Sequence, residues 1–161
     1  MASPHTQIFI DKWHRIFAEN DPALMWPLIH EDIEFYSPAI YRPKHGRQSV
    51  YETLALVFDI LTDYRVTDTW VKDHEILFEF EAGVGKYVLQ GIDRFQLNEE
   101  GKITHMKVWL RPLTGLKELA RIIAAKELER HLSSKSGYQK AIARAQIRTG
   151  KLIISLKEGL K

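Results

Sequence analysis

At Asp63 the hydrophobic pattern of this chain changes period, and that change constrains the fold more than any other feature of the sequence. Before it, apolar residues recur every three or four positions. Ile8, Phe9, Trp13, Ile16 and Phe17 oppose Asp11, Lys12, Arg15 and Glu19 over residues 8–20, and Val50, Leu54, Val57, Phe58 and Leu61 repeat the pattern. After it, apolar and polar residues alternate through 64–72, 75–82, 86–98 and 102–111, four strands separated by turns short enough for antiparallel hairpins. Asp21-Pro22 supplies an N-cap and a first-turn proline for a short helix over 22–29. Residues 32–38 form a strand stopped by Pro38, with Ile33, Phe35 and Ser37 on one face and Asp32, Glu34 and Tyr36 on the other. Tyr41 to Gly46 has the Pro and Gly content of a loop, and helical spacing returns over 113–132. Helices followed by a run of hairpin-linked strands predict an α+β fold: a strongly curved antiparallel sheet with helices on its concave face.

Charge separates an acidic body from a basic tail. Residues 133–161 carry seven Lys and Arg against Glu158 alone, while 1–132 carry a net negative charge, and Ser133-Ser134-Lys135-Ser136-Gly137 divides the two. The expected domains are therefore a body over 1–132 and a basic C-terminal extension over 133–161, helical and amphipathic to about Thr149. The tail suits docking on the acidic body, with an anionic membrane surface as the alternative. An overall formal charge of only +2 gives no field for nucleic acid. With no cysteine the chain has no disulfide, thiolate nucleophile or Cys-ligated metal, in keeping with a cytoplasmic protein. No run approaches the roughly 20 apolar residues of a membrane span. The seven histidines contain no i, i+4 pair, so no metal site and no cofactor is expected. Arg42, Lys44, His45 and Arg47 around Gly46 read first as solvated loop charge, with an acidic substrate group as the alternative occupant.

Asp93 is the candidate catalytic residue. Alternation puts it with Leu89, Gly91, Phe95 and Leu97 on the apolar face of its strand, where desolvation raises a carboxyl pKa towards the range useful for acid/base work at neutral pH. The competing reading is a carboxyl that accepts hydrogen bonds and orders the core. By the same parity, Phe35, Leu54, Phe58, Phe78, Phe80, Met106, Val108 and Leu110, with Ile33 and Leu89, enclose Asp93 and Ser37 in a cavity suited to a hydrophobic or aromatic small molecule. Trp109 falls on the outer parity, and together with Trp70, Val71 and Tyr87 elsewhere in the sheet it reads as surface or as a homodimer contact.

The element order, with Glu19-Asn20-Asp21 closing the first helix, residues 33–38 as first strand, Gly91-Ile92-Asp93-Arg94-Phe95 mid-strand and Gly101-Lys102-Ile103 as last turn, resembles the nuclear transport factor 2-like superfamily, over about residues 6–113. Its SnoaL-like and ketosteroid-isomerase-like branch is the nearer likeness. That resemblance implies a cone-shaped α+β barrel holding a small apolar ligand, often as a homodimer, and leaves the activity open. In ketosteroid isomerases an Asp matching Asp93 stays protonated and donates to a developing oxyanion. The tyrosine of that oxyanion site falls on Trp13, the general base on Ser37, and the arginine of limonene epoxide hydrolases on Gly91. These departures disfavour steroid isomerisation and epoxide hydrolysis, and leave cyclase-like acid/base chemistry through Asp93 as the remaining enzyme reading.

Overall fold

A computed structural model describes residues 4–133, with side chains through Arg130. The chain divides into two compact units, Met1–Arg121 and Ile122–Lys161. Of the second, the described part is the continuation of one helix, and the basic extension beyond Ser133 lies outside the described residues. No helix among the described residues is long and apolar enough to cross a membrane.

Helix α1 (Pro4–Ala18) buries Phe9, Ile10, Trp13 and Ile16. Its end is set by Asn20, whose positive φ of 52° lets Asn20 N–H reach the Phe17 carbonyl and Asp21 N–H the Ile16 carbonyl, a Schellman termination. Asp21 then caps the next element, its carboxylate accepting from Ala23 N–H at 2.9 Å. That element, Pro22–Leu28, is a 3-10 helix; Pro27 inside it lacks the N–H that an α-helical ladder needs.

Strands β1 (Ile29–Tyr36) and β2 (Lys44–His45) precede helix α2 (Arg47–Ile60). Strands β3 (Thr62–Lys72), β4 (Glu75–Val84), β5 (Tyr87–Leu97) and β6 (Ile103–Arg111) follow as a meander, then helix α3 (Leu113–Ser133). The sheet order is β2-β1-β6-β5-β4-β3. It differs from the expected antiparallel barrel in two respects. The sheet stays open, with β2 and β3 at its edges, and β1 runs parallel to β6. The meander consumes its own hairpin partners and leaves one edge of β6 free. β1, joined to the meander through α2 and not through a hairpin, is under no constraint to enter that edge antiparallel. The segment read as a loop contributes β2 through Glu34↔His45 and Phe35↔Lys44.

The second hairpin also turns later than expected, at Gly85-Lys86, because Gly83 is a strand residue. A Cβ on Gly83 would stand 2.3 Å from Thr62 Oγ1, so this glycine serves the close approach of β3 and not the turn. α1 and α2 pack Phe9, Trp13, Ile16, Val50 and Leu54 against Phe35, Ile76, Phe78, Phe95 and Met106 of the sheet's inner face. Thr6, fully buried in the first turn of α1, donates to the Asp73 carbonyl of the β3–β4 turn and fixes the helix against that hairpin.

Candidate functional site

Cross-strand register assembles the site in three adjacent rows of the inner face. In the middle row Asp93 stands between Phe78 of β4 and Val108 of β6. One row away Gly91 lies between Phe80 and Leu110, and on the other side Phe95 lies between Ile76 and Met106, with Phe35 of β1 beyond Met106. Six of the expected lining residues, Phe35, Phe78, Phe80, Met106, Val108 and Leu110, thus surround the carboxyl on one face. Gly91 is required here: a Cβ would meet Phe80 Cζ at 2.5 Å and Leu110 Cδ2 at 2.7 Å. The space that an arginine would need at this position is occupied by those two side chains.

The helices supply the rest. Trp13 is 2% exposed and meets Phe95 edge-on at 4.7 Å. Leu54 is buried in the same core, and half-buried Phe58 contacts Phe17 at 5.2 Å. Ser37 lies beyond the end of β1, where its Oγ accepts from Ala39 N–H at 3.2 Å. It acts in that turn, and no hydrogen bond joins it to Asp93 among the described residues. The basic cluster is engaged locally. Lys44 donates to Thr53, His45 faces Glu34, and Arg47 stacks over Trp26 with Glu31 at 3.9 Å.

Asp93 is 5% exposed. Burial pushes its carboxyl up from 3.8 to about 7, and a hydrogen bond from Tyr64 opposes that rise. The Tyr64 hydroxyl donates to Asp93 Oδ2 at 3.4 Å, a long bond that compensates little of the desolvation. Tyr64 is itself held well above the ordinary tyrosine range, first by burial of its hydroxyl end and then by the Asp93 charge. The Trp13 indole N–H lies near enough to the Tyr64 oxygen to oppose that shift, yet does not reach hydrogen-bond geometry; it is a buried donor without a partner among the described residues.

Tyr64 is the residue that sequence reasoning passed over. Its ring is sandwiched between Phe17, at 3.8 Å and 12° from parallel, and Phe80, at 4.9 Å. Parity carried a signal: Tyr64 and Val66 share the apolar phase of β3, whereas Arg65 and Thr67 take the other. Two bulges in β3, one on either side of Arg65-Val66, obscure that phase in the sequence. Chemically, three polar atoms converge in an apolar core: one carboxyl ionising near neutrality, one phenol and one indole N–H.

This fold and site define the nuclear transport factor 2-like class of α+β proteins. Within it, the chain belongs to the SnoaL-like domain family, whose pattern it matches over residues 10–106. It is similar to a steroid Δ-isomerase from Pseudomonas aeruginosa, with 27% identity and a TM-score of 0.77 over 83% of this chain and 98% of that one. It also resembles an uncharacterised protein with a cystatin-like fold from Silicibacter pomeroyi (27% identity, TM-score 0.71, 78% and 90% covered). A protein assigned as a SnoaL-like polyketide cyclase from Jannaschia shares the fold at 12% identity and a TM-score of 0.60, over 73% and 94% of the two chains. No curated protein sequence matches the chain.

Proposed function

We propose that this protein binds a small hydrophobic or aromatic molecule in a cone-shaped pocket on the inner face of the sheet, and that Asp93 carries out acid/base chemistry there. The reaction class is cyclase, isomerase or dehydratase type and uses no cofactor. Phe35, Leu54, Phe58, Phe78, Phe80, Met106, Val108 and Leu110 line the pocket, with Trp13 and Ser37 contributing polar atoms. The observation that carries this reading is a carboxyl ionising at about 7 among apolar side chains, with one long hydrogen bond. A purely structural residue has no need of that desolvation cost, since a leucine there packs without it. The Pseudomonas relative adds a precedent for acid/base chemistry on an apolar skeleton. Ser37 in place of a carboxylate base argues against steroid isomerisation itself, since an unactivated hydroxyl cannot abstract a carbon-bound proton at a useful rate.

The active body spans 1–132, with 133–161 as a separate basic extension, in a cytoplasmic homodimer formed through the outer sheet face. Exposed Trp70, Val88 and Trp109 support that association. The same exposed face favours the second reading, a non-catalytic dimeric module in which Asp93 only orders the core.

A pH titration of the Asp93 carboxyl by carbon-detected NMR, without and with a panel of hydrophobic and aromatic ligands, separates the two. A midpoint near 7 that moves on ligand addition is the expected result. A midpoint in the ordinary carboxylate range, indifferent to every ligand, overturns the catalytic reading.

A further inference from the structure

We propose that a second copy of this chain packs on the outer face of the sheet about a two-fold axis running along β5, which seats the Asp68 and Glu79 carboxylates of each protomer against Lys107 of the other. The inference rests on the outer-face dimer read above, and adds to it the groups that meet, the direction of the axis and a dependence on charge.

The outer face is charged on its two flanks and apolar along its middle. Register sets Asp68 of β3, Glu79 of β4, Ile92 of β5 and Trp109 of β6 in one row. The next row holds Trp70, Leu77, Arg94 and Lys107, with Tyr36 of β1 beyond. Asp68 and Glu79 are therefore like charges directly opposite each other, an arrangement that destabilises a sheet unless a cation offsets it. Both are exposed, and neither has an ion pair among the described residues; the Asp68 carboxylate accepts from Thr69 N–H at 2.7 Å. The cations of that flank are placed elsewhere: Arg65 pairs with Glu81, Arg94 pairs with Glu75, and Lys72 stands opposite Glu75.

Across β5 the sign inverts. Lys107 stands opposite Arg94, and its ammonium lies over two rings, Tyr36 at 4.8 Å and Trp109 at 5.8 Å, with no carboxylate paired to it among the described residues. Glu34 on β1 is engaged by the Tyr36 hydroxyl at 2.8 Å and faces His45 and His105. Between the flanks Trp70 and Trp109 are 46% and 47% exposed, and Leu77 and Ile92 are half-buried. An apolar centre rimmed by charge has the anatomy of a protein interface. The charges select the occupant, because this one surface carries both halves of the missing pair.

Two sheets stacked face to face as identical copies are related by a two-fold axis lying between them. With that axis along β5, β4 of one protomer lies over β6 of the other. The row of Asp68 and Glu79 then faces the partner's Trp109, towards which the Lys107 ammonium already leans. Adjacent rows are about 7 Å apart along a strand, a span that a lysine side chain covers. With the axis across the strands, β4 lies over β4 and β6 over β6. Glu75, Glu79 and Glu81 would then meet their own copies, and Lys107 would meet Lys107. Like charges brought together in this way oppose association, so of the two directions the first is the self-complementary one.

The test is sedimentation velocity of the full chain at low and high salt, in wild type, Glu79→Lys, Lys107→Glu and the double variant. The expected result is a wild-type dimer that weakens as salt rises. Each single reversal should raise the dimer dissociation constant about ten-fold at low salt, since it sets two like-charge contacts in the interface. The double variant should return to within about three-fold of wild type. Mixing the two single variants should give a heterodimer tighter than either homodimer, because every contact between positions 79 and 107 again joins opposite signs. A wild-type dimer that ignores both single reversals overturns the pairing and the axis, and leaves the outer-face dimer standing. A double variant weaker than either single does the same. A monomeric wild type overturns both readings. Should a reversal fail to fold, wild-type protein decides the matter: unlabelled and isotope-labelled chains are mixed, allowed to exchange and coupled with carbodiimide. A Glu79–Lys107 isopeptide link joining one chain of each kind is expected, and its absence, or a link confined to chains of one kind, overturns the proposal.

Discussion

The two faces of one hairpin treat a carboxyl group in opposite ways. On the outer face of β4, Glu81 accepts from Gln90 at 2.9 Å and pairs with Arg65; those partners, Gln90 first, hold it below the usual carboxylate range. On the inner face of β5, Asp93 has Phe78 and Val108 as its cross-strand neighbours, and burial drives it up to about 7. The strands, the twist and the hairpin are common to both. What differs is the face of its own strand on which each carboxyl falls, and with it whether the charged form finds water and cations or hydrocarbon. A period-two strand therefore sorts chemistry as strictly as it sorts hydrophobicity: the outer face spends its charges on pairing, and the inner face keeps one that is poised to change.

The largest expected effect is on pH dependence. A carboxyl whose folded pKa is raised from 3.8 to about 7 leaves stability whole below pH 4, where both states are protonated. Between pH 4 and pH 7 the unfolded chain ionises first, so stability falls as pH rises, by about 4 kcal/mol in all. Urea unfolding of wild type and Asp93→Asn across this window should show the loss in the first and its absence in the second. Parallel curves would break the contrast between the faces.

Next in size is Gly91→Ala. Its Cβ would meet Phe80 and Leu110 at 2.5 and 2.7 Å, so a cost of about 2–3 kcal/mol is expected in the same assay. A neutral result would show that Phe80 and Leu110 can withdraw, and hence that the inner face opens more readily than its packing implies.

The smallest effect on the chain's own stability belongs to the outer face. Trp109 is 47% exposed, and Trp109→Lys should change folding free energy by about 0.5 kcal/mol or less while leaving the Asp93 titration untouched. Sedimentation velocity should then find wild type dimeric and the variant monomeric. A monomeric wild type removes the outer face from the dimer proposal.

Much of this arrangement was legible in the sequence because it depends on local periodicity. The change of period at Asp63, the Asp21-Pro22 start and the inner parity of Phe78, Phe80, Asp93, Met106, Val108 and Leu110 all follow from residues close along the chain, and the structure reproduces each. What escaped was non-local. Gly83 reads as a turn until Thr62, twenty-one positions earlier, is seen against it. Lys44-His45 reads as loop until Glu34 and Phe35 pair with it. Tyr64 reads as an ordinary strand residue until its hydroxyl is found at Asp93, twenty-nine positions away.

The sequence by itself determined the α+β class and the face on which the carboxyl lies, because the pleat of a strand and the turn of a helix impose periods that any stretch of residues must express. Only the tertiary structure decided that β1 enters parallel to β6, that the sheet stays open, and that a phenol from β3 reaches Asp93 with an indole from α1 beside its hydroxyl. Those are choices among partners distant in the chain, and they are settled by which surfaces bury each other, a quantity that no local pattern contains.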